Sequence, residues 1–391
     1  MSSVVIISYI FNIISRKTRI PSVLLLIATG LAIRYTAGYY GYVPQDVQSM
    51  VKILGAIGLI MIVLEAALDL KVNRDKLPLI RDSFLSALII FLISAFGIGF
   101  LIQQWLNVSF EYAFIYAVPL SIISSAIVIP STSHLPALKK EFIIYESSFS
   151  DIIGILVFNY MLMRNVMSFR SAAIFTGNVG LAILVSLLAS LMLIYILTKI
   201  KINLKFFLLF AILTFIYSAG ELIHLPSLLI VLVFGLILNN SELAFIGRLR
   251  KLIEGVDMSS IVGQMHSITA ETSFLIRTFF FILFGYSIEL SLLLNPIVWQ
   301  LGSAIVIILI IVRFLYLRLI LKSNLFPEIL LSPRGLVTIL LFYNIPEYKR
   351  LESFDIGILF FVVVVTSLLM MVGLLFFKSE NKFLETSDEH F

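Results

Sequence analysis

Residues 141–163 read EFIIYESSFSDIIGILVFNYMLM. A run this long and apolar crosses a bilayer as a helix, which needs about 20 residues. Two carboxylates, Glu146 and Asp151, nevertheless stand inside it. A charge at the bilayer centre costs at least ~2.5–3.5 kcal/mol on insertion scales, so it ordinarily has a partner and a task. Ser147 and Asp151 are i,i+4, as are Glu146 and Ser150, and Ser147 and Ser150 are i,i+3. All four therefore share one broad helix face. Two carboxylates and two hydroxyls form a set of hard oxygens suited to Na+, K+ or H+ rather than to a soft metal. Solvation at the membrane edge accounts for Glu146 better than for Asp151, which lies about nine residues, or ~13 Å, into the span.

The rest of the chain has the same character. Of its 391 residues, 60% are hydrophobic and 13% charged, with a mean hydropathy of +1.08. A soluble domain is about half apolar and roughly a quarter charged. With no cysteine, disulfides and thiolate metal sites are excluded. The four histidines, 134, 224, 266 and 390, are too scattered for a zinc site. No nucleophile–base pair stands out, so the chain is not read as an enzyme, and no cofactor is expected. The net charge of +5 comes from basic residues between apolar runs, which points to cytoplasmic loops and not to a nucleic-acid surface. Met1–Ser15 lacks a basic leader and an A-x-A cleavage site, and reads as a short first span.

Apolar runs separated by polar loops mark about thirteen spans. They cover 2–15, 20–38, 49–69, 82–104, 111–133, 142–163, 171–198, 203–219, 223–240, 268–290, 296–321, 328–346 and 354–377. The segment Asn239–Ser267 reads as the largest loop, an amphipathic helix on the membrane surface. With the N-terminus outside, 19 Lys and Arg fall on one side and 6 on the other, leaving Arg277, Arg313 and Arg334 within spans. The positive-inside bias then puts the C-terminus in the cytoplasm of a multi-pass protein of the cell membrane. One transmembrane domain, 1–378, is expected, followed by a short cytoplasmic tail, 379–391.

The fifth span holds Ser121, Ser124, Ser125, Pro130, Ser131, Thr132 and Ser133, with Pro119 upstream. Proline frees backbone carbonyls that hydroxyls or an ion can satisfy, so this reads as a discontinuous helix. Ser332-Pro333-Arg334-Gly335 opens a second break in the twelfth span. Arg313, within IILIIVRFLY, needs a buried partner, for which Glu146 is the natural candidate, with Arg334 the competing cation. Arg277 and Glu271 read as a pair near the cytoplasmic surface. Glu65 and Asp69 read either as a cation entry funnel or as a capped membrane edge. The two breaks are seven spans apart, an odd offset that inverts direction. Two inverted six-helix repeats, about 1–163 and 203–378, joined by a linker helix at 171–198, would bring the broken helices to equivalent positions.

These residues together resemble the monovalent cation:proton antiporter (CPA) superfamily, in its sodium/proton exchanger branch. Arg19-Ile20-Pro21-Ser22 is similar to the family's R-x-P entry to its second helix. Leu64–Leu70 is similar to its F-E-G-G-L-E-L stretch. Glu146-Ser147-x-x-Ser150-Asp151 matches E-S-x-x-N-D at all but one position. Pro333-Arg334-Gly335-Leu336-Val337 matches its R-G-x-V segment on a broken helix, and Arg313 stands where the family has a basic residue. The resemblance implies an all-α sodium/proton antiporter fold of two inverted repeats with crossing broken helices, a core domain moving against a dimerisation domain, and a homodimer. It implies that Asp151 binds cation and proton in turn, with Ser147 and a fifth-span hydroxyl, Ser124 or Ser125, as ligands. Glu146 would pair with a buried arginine. Two positions depart: Ser150 replaces an Asn or second Asp, and Ser124-Ser125-Ala126 replaces Thr-Asp-Pro.

The expected function is alternating-access exchange of a monovalent cation, Na+ before K+, for H+. With one acid, at 151, and none at 150, the exchange should be electroneutral. A transport-inactive sensor or scaffold of the same fold and a K+-selective antiporter are the alternatives.

Overall fold

Helix boundaries in the chain follow proline and capping chemistry. Pro21 precedes α2 (Ser22–Tyr39) and Pro226 precedes α10 (Ser227–Asn239). Asn295 caps α12 (Pro296–Tyr316) by accepting from Ile297 N at 3.1 Å, with Pro296 in the first turn. Asp355 does the same for α14 (Ile356–Phe376), accepting from Gly357 N at 2.7 Å. The computed structural model describes residues 2–41, 47–72, 74–132, 135–163, 168–199, 205–223, 225–241, 258–321 and 326–377. The other helices are α1 (Ser2–Thr18), α3 (Val47–Asp69), α4 (Leu77–Leu106), α5 (Phe110–Ser121), α6 (Ser125–Ser131), α7 (Ala137–Met161), α8 (Phe169–Lys199), α9 (Lys205–Leu222), α11 (Met258–Ser287) and α13 (Leu336–Tyr343). A wider π turn, Leu317–Leu321, prolongs α12. There is no strand among the described residues, and every one of the thirteen expected spans carries a helix.

One boundary differs from the sequence reading, and two expected breaks acquire their positions. The tenth span begins at Met258, so 258–267 belongs to a 30-residue helix rather than to a surface loop; residues 242–257 lie outside the described set, as does the tail from Lys378. The fifth span is interrupted at 122–124. The twelfth is helical only from Leu336 to Tyr343, because Ser332–Gly335 ahead of it carries no regular structure.

The chain divides into two compact units. One comprises Met1–Val51, Pro78–Gly154 and Thr278–Phe391. Within it α12 packs along α14, and α13 along α5. Gly30 of α2 and Gly285 of α11 allow backbone-to-backbone contact: a Cβ on Gly30 would lie 2.1 Å from Ile282 O, and one on Gly285 2.3 Å from Ile27 O. Arg19 donates to Leu374 O and Phe377 O at 2.9 and 2.8 Å, placing a cation on the carbonyl end of α14. The broken fifth span is the interior of this unit, 89% buried over its most apolar window.

The second unit comprises Lys52–Leu77 and Ile155–Arg277. In it α10 packs against α8 and α9. The most apolar window of α8 is only 22% buried, and Leu184, Leu188 and Met192 point outward. A large apolar surface of this kind is normal against lipid and would be an aggregation site in water. Seven helical stretches among the described residues are long and apolar enough to cross a bilayer alone.

Candidate functional site

The site is built where the helical ladder fails. Pro119 lies inside α5 and Pro130 inside α6. Between these helices Ile122 and Ser124 are extended. Backbone groups freed within a membrane must find partners, and three successive N–H groups here do so in three directions. Ile123 N donates to Ser150 Oγ on α7 at 2.9 Å. Ser124 N donates to Pro333 O, in the second break, at 2.9 Å. Ser125 N donates to Asp151 Oδ2 at 3.2 Å, and the Ser125 hydroxyl donates to the same oxygen at 2.5 Å.

The freed carbonyls are satisfied by one side chain. Arg334, 1% exposed, donates from Nε to Leu120 O at 2.9 Å and from Nη2 to Ser121 O at 3.3 Å, and from Nη1 to Ser332 O. Its guanidinium thus sits on the negative end of α5. Its own N–H donates to Thr366 Oγ1 on α14 at 3.0 Å. The two non-helical segments therefore meet at a crossing point marked by the Ser124 N–Pro333 O bond. Gly335 is what lets them approach, since a Cβ there would stand 2.6 Å from both Ser124 Oγ and Ile127 Cδ1 and 2.9 Å from Ser124 Cβ. Gly335→Ala is expected to force the crossing apart, lowering stability by about 1–3 kcal/mol as overpacking does. Thermal unfolding in detergent, with an exchange assay beside it, measures both effects.

Glu146 and Asp151 share α7 and have different surroundings. Glu146 is fully buried and takes Arg313 Nη1 on Oε1 at 3.0 Å and Nη2 on Oε2 at 2.8 Å. Ser86 of α4 donates to Oε1 at 2.6 Å. The third donor of Arg313, Nε, reaches Glu328 O at 2.7 Å. Glu328 in turn takes Lys139 Nζ at 2.7 Å. Asp151 Oδ1, by contrast, is buried and has no hydrogen-bond partner among the described residues.

The remaining site residues read from the sequence are placed as follows. The Ser147 hydroxyl donates to Ile144 O on its own helix at 3.2 Å. Ser150 Oγ accepts from Ile123 N at 2.9 Å. Ser124 Oγ is buried without a partner among the described residues. Arg334 is held by backbone carbonyls, so the bidentate partner of Glu146 is Arg313. Glu65 meets Arg277 at 3.0 and 3.3 Å, which corrects the expected Arg277–Glu271 pair: the two faces meet across α3 and α11. Asp69 bonds His266 at 2.7 Å.

A family profile described as "Sodium/hydrogen exchanger, transmembrane" matches residues 2–378. The chain belongs to the sodium/hydrogen exchanger family. Among solved structures, this exchanger-family chain is similar to the sodium proton antiporter MjNhaP1 from Methanocaldococcus jannaschii at pH 8, with TM-score 0.74, 22% identity and 96% of each chain covered. An electron-microscopy map of the same antiporter gives TM-score 0.70 at 20% identity, covering 95% of this chain and 93% of that one. These likenesses show the antiporter fold. No curated protein matches by sequence. Three residues that sequence reading passed over also join this buried polar cluster: Ser86 and Glu328 around Glu146 and Arg313, and Thr366 beside Arg334. Their only signal was a polar side chain within or beside an apolar run.

Proposed function

We propose that the chain exchanges a monovalent cation, Na+ before K+, for H+ across the membrane, with Asp151 carrying the cation and the proton in turn. The observation that supports this best is the division of labour on the Asp151 carboxylate. Oδ2 is held by Ser125, while Oδ1 is buried and unpartnered. A protonated Asp151 that takes up the cation must release its proton, and a cation-loaded one must release the cation before it is protonated. Competition for one carboxylate therefore couples the two fluxes. Alternating access needs only that this site be opened to one side and then to the other. A homodimer in the cell membrane, with the N-terminus outside and the C-terminus in the cytoplasm, completes the proposal, together with inverted repeats around the crossing.

At positions 150 and 151 only Asp151 is an acid, because position 150 is serine, and Glu146 is paired with Arg313. Each turnover then moves one H+ against one cation, and exchange is electroneutral. In proteoliposomes, a pH gradient should drive Na+ flux at a rate that an imposed K+/valinomycin voltage leaves unchanged, with choline balancing the salt. A clear response to voltage would reject this stoichiometry. The same vesicles assayed with Na+, Li+ and K+ identify the cation.

A further inference from the structure

Three buried oxygens around the crossing have no hydrogen-bond partner among the described residues: Asp151 Oδ1, Ser124 Oγ and Thr338 Oγ1. Ser124 and Thr338 are fully buried and Asp151 is 5% exposed. Buried hydroxyls are ordinarily satisfied, and inside a membrane helix they usually turn back to a carbonyl of their own helix. Ser121, Ser131 and Thr366 each do this. Thr338 does not: it is the third residue of α13, and the carbonyl four residues back, of Arg334, lies ahead of the helix start.

Its position ties it to the site. Thr338 is three residues beyond Gly335, on the same side of the helix start. Gly335 is the residue pressed against Ser124 and Ile127. Ser124 adjoins Ser125, whose amide and hydroxyl hold Asp151. The start of α13, which bears Thr338, therefore adjoins through Gly335 and Ser124 the segment that holds Asp151.

We infer that Thr338 is a ligand of the transported cation, completing with Asp151 and Ser124 a set of hard oxygens drawn from α7 and both broken spans. This rests on the proposal that Asp151 is the exchanging group. A hydroxyl offers its lone pair to a cation but does not hold the exchanged proton, so Thr338 acts on the cation side alone. It also makes binding depend on both breaks staying crossed.

The test is Thr338→Val, Thr338→Ser and Asp151→Asn in proteoliposomes, with the KM for Na+, Li+ and K+ read at several pH values. Loss of one hydroxyl contact predicts a roughly five- to tenfold rise in the KM of the preferred cation for Thr338→Val. At saturating cation its pH profile should match the parent's, and Thr338→Ser should restore the KM. The melting temperature of Thr338→Val should not fall, because a methyl replaces an unpartnered hydroxyl of the same shape. An unchanged KM beside an inactive Asp151→Asn overturns the inference and leaves the exchange proposal standing. A lowered melting temperature with unchanged KM marks a structural hydroxyl and also overturns it. Exchange that persists in Asp151→Asn overturns both.

Discussion

Asp151→Asn will reduce pH-driven cation exchange to the background of protein-free vesicles. The amide is nearly isosteric with the carboxylate. Its oxygen can still accept the amide and hydroxyl of Ser125, which now meet Oδ2 at 3.2 and 2.5 Å. What the variant lacks is a group at the Oδ1 position that can carry a charge and then a proton. Removing a buried charge of this kind is neutral or favourable to folding. The melting temperature in detergent should therefore hold or rise while transport is lost. Persistent exchange would mean that another group carries the ion.

Arg313→Ala will have its largest effect on stability. The guanidinium spends Nη1 and Nη2 on the two oxygens of Glu146 and Nε on Glu328 O, all buried. Removing one partner of a buried pair strands the other charge and costs about 3–5 kcal/mol. Ser86 remains on Oε1, but one hydroxyl does not offset the missing cation. Arg313→Lys should recover only part of the loss, because an ammonium cannot reproduce the planar fork. The double replacement Glu146→Gln, Arg313→Leu should be more stable than Arg313→Ala alone, since no unpaired charge is left. Thermal unfolding of the four proteins decides this; an Arg313→Ala variant that melts with the parent would reject the pair as a stabilising element.

Hydropathy and proline made much of this architecture readable in advance. Each span position rests on a local property, the transfer cost of some twenty consecutive side chains, and neighbours elsewhere do not alter that cost. The breaks were readable for the same reason: Pro119, Pro130 and Pro333 each remove a backbone donor wherever they sit. The need for partners at Glu146, Arg313 and Arg334 followed from the expense of charge in hydrocarbon.

Helical periodicity was a weaker guide to roles. It put Ser147, Ser150 and Asp151 on one face, but that Ser150 Oγ accepts from Ile123 N and the Ser147 hydroxyl donates to Ile144 O was not legible there. A helical wheel specifies direction around an axis and carries no information about what stands opposite. The same blindness paired Arg277 with the nearby Glu271, whereas the structure joins it to Glu65, 212 residues away in sequence.

By itself, then, the sequence determined the membrane class, the order of spans, the two places where helices fail and the charges that require compensation. Each of these depends on side-chain chemistry within one segment. Only the tertiary structure decided that Arg313 meets Glu146 while Arg334 closes the end of α5, and that Gly335 seats one break on the other. It also decided which oxygen of Asp151 is held by Ser125 and which is left open. Those outcomes depend on hydrogen bonds of about 3 Å between segments up to 214 residues apart, and a contact of that length is set by how the helices pack.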